Sequence, residues 1–113
     1  MTIDQKNDLR LRHIVEAAEH IADFIDGVSK EEFEADYEKQ SAVIRQVEII
    51  GEAASKLTHE FIKQHSQIDW SKVVGMRHKM VHDYFDVDTK IVWTTAADNV
   101  PPLKNAVEKI LNI

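Results

Sequence analysis

Apolar side chains recur at intervals of three and four residues in three long stretches of this chain. The stretches run from Leu11 to Ile25, from Val43 to Phe61 and from Trp93 to Ile110. This spacing places the apolar residues on one face of a helix. No segment alternates with the period of two that is typical of a strand. The pattern therefore predicts a helical protein.

Short polar signals predict where further helices begin. Gly27 and Ser29 interrupt the first apolar pattern, and Ser29 with Glu32 has the spacing of a capping box that opens a short helix. Asp69 has the chemistry of an N-cap for a helix that begins at Trp70, and residues 86–89 predict a turn in which Asp88 has the same chemistry. Together with the long stretches, these signals predict an all-α, antiparallel four-helix bundle with an additional short helix, forming one domain over residues 1–113.

Two features inside the apolar stretches require a local explanation. Gly51 lies in the middle of the second stretch, where glycine costs about 1 kcal/mol relative to alanine. We therefore expect a close packing contact there, either in the core or between subunits. Pro101 and Pro102 interrupt the third stretch, which predicts a kink or break near residues 99–100 and a new helix with proline in its first turn.

Composition restricts the classes of function. The chain has 113 residues, 43% of them hydrophobic, and no cysteine, which excludes disulfides and thiolate chemistry. No apolar run approaches a membrane span, and the charged N-terminus is not a secretory signal, so we expect a cytoplasmic protein without membrane contact. The net charge of −6 argues against a general nucleic-acid binder. Its acidic surplus lies in residues 1–40, which hold five Lys and Arg against eleven Asp and Glu.

The segment from residue 77 to residue 84 carries the candidate chemistry. It contains Arg77, His78, Lys79, His82 and Tyr84. An arginine grips a phosphate through paired donors and keeps its charge, and a histidine exchanges protons near neutral pH. This combination favours chemistry on a phosphodiester, in which Arg77 binds the phosphate and His82 transfers a proton.

Helix geometry limits how these side chains meet. Each residue turns an ideal helix by about 100°, so Arg77 and Tyr84 share nearly one face only if the helix persists that far. His82 then lies about 140° from Arg77. Either the helix ends or bends near His82, or the site combines residues of two subunits across a twofold interface.

Each of these residues also has an interpretation without function. Arg77 can form a salt bridge with Asp83, Asp86 or Glu48, and His82 can interact with a helix C-terminus. Tyr84 can be a half-buried aromatic residue.

A metal site is a further alternative, because His78 and His82 are spaced i and i+4. The glutamate of a zinc protease is absent between them, and no third ligand is evident although Asp86 is close in sequence. We expect no metal and no cofactor.

The segment and its surroundings resemble the HepT-like toxins of the HEPN superfamily over nearly the whole chain. Arg77, His82 and Tyr84 reproduce the R-x-x-x-x-H-x-Y signature. The flanking sequence is similar as well. It comprises Ile49-Ile50-Gly51-Glu52-Ala53, Trp70, Gly75-Met76, Tyr84-Phe85, Val92-Trp93 and Pro101-Pro102-Leu103. His78 departs from the superfamily, where Asn or Asp often follows the arginine.

The resemblance implies a HEPN-like homodimer with its motifs in a cleft at the subunit interface. It implies a metal-independent endoribonuclease in which Arg77 and His82 are catalytic, while His78, Lys79 and Tyr84 support catalysis or bind RNA. It also implies a cognate minimal nucleotidyltransferase antitoxin, which in some members adenylylates the tyrosine matching Tyr84. A second hypothesis is an inactive helical module that only binds the nucleotidyltransferase.

Overall fold

The computed structural model describes residues 1–83 and 86–113, without the side chains of His82 and Asp83. Seven α-helices, one π-helical turn (π1) and two short strands are found in these residues. They are α1 (Ile3–Ile25), α2 (Lys30–Glu34), α3 (Tyr37–Ser55), α4 (His59–Gln64), α5 (Trp70–Met80), β1 (Val81–Asp83), β2 (Asp86–Val87), α6 (Thr89–Thr94), π1 (Thr95–Asn99) and α7 (Val100–Leu111). The all-α prediction is confirmed.

The longest helices, α1 and α3, form the most extensive pairing in the bundle. The start of α1 lies beside the segment that follows α3. The Asn7 side-chain amide donates to Thr58 Oγ1 at 3.1 Å, and the Thr58 N–H donates to Asn7 Oδ1 at 3.2 Å. Asn7 lies near the start of α1 and Thr58 follows α3, so the two helices are antiparallel. Burial of Leu11, Ile14 and Val47 holds this pair together.

Gly51 explains how closely α3 approaches α5. A Cβ atom added at Gly51 would lie 3.1 Å from the Val74 carbonyl oxygen and 3.6 Å from that of Val73. The packing contact predicted at this glycine is therefore an internal one. Glu48 lies one turn before Gly51 in α3, and it contacts Arg77, which lies one turn after Val74 in α5. The two helices therefore run antiparallel as well.

The periodicity of the second apolar stretch predicted a single helix, but the structure divides this stretch between two helices. Helix α3 ends at Ser55, and α4 begins after Thr58, whose hydroxyl accepts from the Phe61 N–H. Thr58 caps a new helix between Leu57 and Phe61, so these two residues do not lie on one face of a single helix. The apolar spacing continues across this break because both segments cover the same core.

The predicted caps at the other helix starts are confirmed. Ser29 and Glu32 form a reciprocal capping box. The hydrogen bonds with the backbone and side chain of Ser29 lower the pKa of the Glu32 carboxyl. Asp69 caps α5 by accepting from the Lys72 N–H. Asp88 caps α6 in the same way, although Asp86 and Val87, predicted as a turn, form strand β2.

The prolines alter the last long helix without ending it. Residues 89–111 keep helical geometry throughout, and π1 replaces the predicted kink or break. Its wider turn places the Val100 N–H on the Thr95 carbonyl. Pro101 and Pro102 then occupy the first turn of α7, where their missing N–H groups cost little, as predicted.

A short antiparallel ribbon separates α5 from α6. Val81 pairs with Val87 and Asp83 with Asp86, with an irregular register between the two pairs. Strands of three and two residues are too short to show alternation, which is why the sequence did not indicate them. In the described residues, no helix is long and apolar enough to cross a membrane.

Candidate functional site

The C-terminal turn of α5 presents three basic side chains on a firmly anchored helix. Arg77, His78 and Lys79 all reach solvent. Trp70 and Met80 at the two ends of α5 are buried at 4% and 0% exposure, so the helix is fixed to the core on both sides of the basic turn. Positive charge at a helix C-terminus is also favoured by the helix dipole.

Glu48 holds the Arg77 guanidinium in place. Arg77 Nε lies 3.1 Å from Glu48 Oε1, and Arg45 Nη1 lies 3.8 Å from Glu48 Oε2. One carboxylate therefore bridges two arginines, and one of the salt bridges foreseen for Arg77 is present. The Arg77 side chain nevertheless remains 45% exposed, so its other guanidinium nitrogens can reach a ligand.

Helix α5 ends before the rest of the motif. Met80 is its last residue, and Val81 has extended backbone angles, so His82 belongs to strand β1. The helical relation of Arg77 to His82 therefore does not apply, and neither does a shared helix face for His78 and His82. The relation of Arg77 to Tyr84 required a continuous helix, and Tyr84 lies outside the described residues. The alternative in which the helix ends near His82 is confirmed.

The histidine is attached to a closed ribbon. The Asp88 N–H donates to the Met80 carbonyl at 2.8 Å, which joins the end of α5 to the start of α6 and closes the ribbon at its base. The backbone of His82 is one residue beyond Val81, which pairs with Val87. The side chain of His82 and all of Tyr84 lie outside the described residues.

Lys79 lies on the other side of α5 from Arg77. Two residues turn a helix by about 200°, so the two cations diverge. Lys79 lines a cavity of about 580 Å³ between α5 and the continuous helix formed by α6, π1 and α7. Arg77 and Arg45 share Glu48 on the α3 side.

Metal ligands do not cluster in the described part of the chain. No group of three or more His, Asp or Glu residues there is arranged to hold an ion.

Comparisons with known proteins agree with these observations. The family model described as ribonuclease HepT-like matches residues 14–110. The chain belongs to the HepT-like ribonuclease family. A probable ribonuclease HepT of Thermococcus cleftensis is 40% identical, with 88% of this chain and 91% of that protein covered. A putative RNase of Caldanaerobacter subterraneus subsp. tengcongensis is 39% identical, with 89% and 90% covered. No solved structure matches.

Two elements of this HepT-like site were not foreseen from the sequence. The first is the pairing of Arg45 with the same Glu48 that holds Arg77, for which the i, i+3 spacing of Arg45 and Glu48 was the available signal. The second is the cavity, whose walls come from helices separated by the ribbon. Lys72 and Lys90 line the cavity together with Lys79, but no sequence motif connects these lysines.

Proposed function

We propose that this chain is the toxin of a HEPN and minimal nucleotidyltransferase toxin–antitoxin pair, and that it is a metal-independent endoribonuclease. The observation that carries the proposal is Arg77, half exposed on an anchored helix and five residues before His82 on a closed ribbon. Membership of the HepT-like family supports the same activity. The substrate is RNA, because its 2′-hydroxyl supplies a nucleophile beside every phosphodiester.

The proposed reaction transfers the phosphorus from one oxygen to another. The 2′-oxygen attacks the neighbouring phosphorus, the bond to the 5′-oxygen breaks, and a cyclic phosphate and a free 5′-hydroxyl result. His82 removes the 2′-hydroxyl proton or protonates the leaving 5′-oxygen. Arg77 stabilises the charge that builds on the non-bridging oxygens. Neither role needs a metal ion or a cofactor.

Glu48 has a defined place in this proposal. In the free protein its carboxylate accepts from Arg77 Nε and competes with a phosphate for the guanidinium, since both are anions. The ion pair is partly exposed, so its disruption costs at most about 1 kcal/mol. Glu48 therefore orients Arg77 without preventing RNA binding.

The active unit is proposed to be a homodimer with the two motifs facing each other across the interface. A second copy would supply a second His82, so that one histidine acts as base and the other as acid. Val74, which is 42% exposed and lies one turn before His78 on α5, is a residue that this interface is proposed to cover.

Substitutions in the motif test the activity. We expect His82→Ala to lower the rate of RNA cleavage by about 10²–10⁴-fold, the contribution of a positioned acid or base. Arg77→Lys is expected to lose activity as well, because a point charge does not replace the guanidinium fork. Cleavage of a labelled RNA, followed on denaturing gels with and without EDTA, measures both effects. Undiminished cleavage by His82→Ala, or loss of wild-type cleavage in EDTA, contradicts the mechanism.

The antitoxin is proposed to act on Tyr84. Transfer of AMP from ATP to the phenol oxygen, with release of pyrophosphate, would place an anionic phosphodiester beside the motif and compete with RNA for Arg77. Co-expression with a cognate nucleotidyltransferase and mass spectrometry should find AMP on Tyr84, and Tyr84→Phe should escape modification. An adduct on another residue, or unaltered cleavage by the modified protein, rejects this regulation.

The second candidate is the inactive module that binds a nucleotidyltransferase, favoured by the pairing of Arg77 with Glu48 in the single chain. It predicts no RNA cleavage by purified wild-type protein and unchanged nucleotidyltransferase binding by His82→Ala.

A further inference from the structure

We infer that the cavity between α5 and the α6–π1–α7 helix binds one nucleotide of the RNA that is cleaved at the motif, on the Lys79 side of α5 rather than on the Arg77 side. This inference rests on the proposed ribonuclease function and adds a subsite to it. The cavity, of about 580 Å³, has the size of a small-molecule site in proteins.

Position is the first argument for this subsite. Lys79, on the motif turn of α5, and Lys90, in the first turn of α6, both line the cavity. These two residues flank the ribbon that carries His82, and the bond from Asp88 N–H to Met80 carbonyl holds the ends of the ribbon together. An RNA strand that passes from the motif over the ribbon therefore reaches the cavity with a nucleotide further along the strand.

Charge is the second argument. Lys72, Lys79 and Lys90 all line the cavity, although the chain as a whole has a net charge of −6. None of the three forms an ion pair with a carboxylate whose side chain the structure describes. Among the described lining residues Asp69 is the one that is acidic, and it already accepts the Lys72 N–H as the helix cap. The local surplus of positive charge favours an anionic ligand.

The chemistry of the wall is the third argument, because it suits a nucleobase better than a bare phosphate. Met76, Ile91 and Leu103 give the cavity an apolar side. Thr95 and Asn99 of π1 also line it, and the Asn99 side chain makes no capping bond to its own helix. A flat base can cover the apolar side while its edge meets amide and hydroxyl groups, and its phosphate reaches the lysines. A wider π turn at a ligand site is a recurrent arrangement in helical proteins.

Binding of a non-cleavable oligonucleotide tests the charged part of the subsite. The probe is a fluorescent RNA with 2′-O-methyl groups throughout, measured by anisotropy at several salt concentrations. We expect Lys72→Ala with Lys90→Ala to weaken binding and to reduce the slope of log affinity against log salt by about 0.7 for each phosphate that is no longer neutralised. The matched control is Lys6→Ala with Lys30→Ala, which removes two exposed lysines outside the cavity and should leave the slope unchanged. Equal slopes for the two double variants overturn the inference.

A scan with abasic nucleotides tests the base. Removing the base at one particular position of the probe should weaken binding to the wild-type protein about tenfold, because the base no longer covers the apolar wall. Thr94→Trp fills the cavity from an exposed lining position and should abolish this dependence while leaving the other positions unchanged. If every position contributes equally, or if Thr94→Trp binds as the wild type does, no base occupies the cavity.

Competition and partner binding distinguish an RNA subsite from a site for a free nucleotide or for the protein partner. Displacement of the labelled probe is measured with AMP and UMP. If a mononucleotide saturates the protein while the RNA stays bound, the cavity is a site for a free nucleotide and the RNA subsite is overturned. Loss of nucleotidyltransferase binding by Lys72→Ala with Lys90→Ala, with RNA binding intact, assigns it to the protein partner and also overturns it. Wild-type protein that shows the slope and base effects but cleaves no RNA retains the subsite and rejects the nuclease.

Discussion

Arg77 illustrates how one residue can have both a structural and a functional interpretation. Its bond to Glu48 was one of the structural alternatives that the sequence offered, and the bond is present. The same bond also leaves the guanidinium ordered, half exposed and aimed at an anion. Because a partly exposed ion pair contributes little to stability, a structural role alone explains little of why an arginine is useful here.

The first prediction concerns Glu48. Glu48→Gln keeps an oxygen that accepts from Arg77 but removes the negative charge that competes with a phosphate. We expect affinity for the 2′-O-methyl RNA to rise about twofold to fivefold at low salt, a gain of at most about 1 kcal/mol. The free energy of unfolding should change by less than about 1 kcal/mol.

A matched variant controls for net charge in this experiment. Glu52→Gln, one turn later in α3, removes the same charge from a residue that pairs with Lys56 and is 64% exposed. It should leave RNA affinity nearly unchanged. If both variants bind RNA equally well, the effect is a general one of net charge, and the specific competition between Glu48 and phosphate is rejected.

The sequence suggests Arg77 and His82 as the chemical residues, which stays a prediction, but it does not give their geometry. Their selection rests on residue type, spacing and the resemblance of the flanking sequence. Their relation depended on where α5 ends, and neither glycine nor proline marks that point: the chain turns extended after Met80, which is wholly buried. Tertiary packing, rather than a local stop signal, sets this helix end.

At the scale of helices, the two glycines on either side of the α3–α5 contact have opposite roles. Gly51 faces the backbone of α5 at 3.1 Å, whereas a Cβ at Gly75 would meet nothing within 4 Å. Both lie inside helices, where alanine is intrinsically favoured by about 1 kcal/mol. Only the environment distinguishes them.

The second prediction uses this pair of glycines. Gly75→Ala should stabilise the protein by about 0.5–1 kcal/mol, because it gains helix propensity without a clash. Gly51→Ala should destabilise it, because overpacking against a helix backbone costs about 1–3 kcal/mol and exceeds the gain in propensity. Urea unfolding followed by circular dichroism measures both changes.

The same variants connect packing to function. Displacement of α5 by the Cβ at residue 51 moves Arg77 relative to Glu48, so Gly51→Ala should also slow RNA cleavage. A Gly51→Ala protein as stable as Gly75→Ala would contradict the close approach of α3 and α5.

Helix boundaries were predicted well where a polar cap marks them and poorly where it was overlooked. Ser29, Asp69 and Asp88 were identified, and each caps a helix. Thr58 was missed because the apolar spacing continues through it. The ribbon was missed because its five strand residues are too few to show alternation. The π turn was missed because it is the response of a packed helix to Pro101.

At the scale of the whole molecule, the contrast between net charge and local charge becomes informative. An overall charge of −6 makes nonspecific binding of nucleic acid unfavourable. The basic groups that the proposals use, Arg77 and the cavity lysines, are concentrated around α5 and the start of α6. RNA would then be held where the motif lies and repelled elsewhere, which suits the ribonuclease proposed here.

The third prediction tests whether the active site is shared between subunits. The variants Arg77→Ala and His82→Ala are each expected to be inactive. If every site takes Arg77 from one chain and His82 from the other, mixing the two variants restores one intact site in each heterodimer. Random pairing makes half of the dimers mixed, so co-refolding at equal amounts should recover about a quarter of wild-type cleavage.

The design of this experiment excludes recovery by other routes. A chain carrying both substitutions, co-refolded with either single variant, forms no intact site in any arrangement and should remain inactive. Light scattering of each mixture at micromolar concentration establishes that dimers form. A dimeric mixture of the single variants without recovered cleavage would mean that each site needs Arg77 and His82 of the same chain, or His82 of both chains. A monomer with full wild-type activity would remove the second subunit from the mechanism, because one chain would then supply both the phosphate-binding arginine and the proton-transferring histidine.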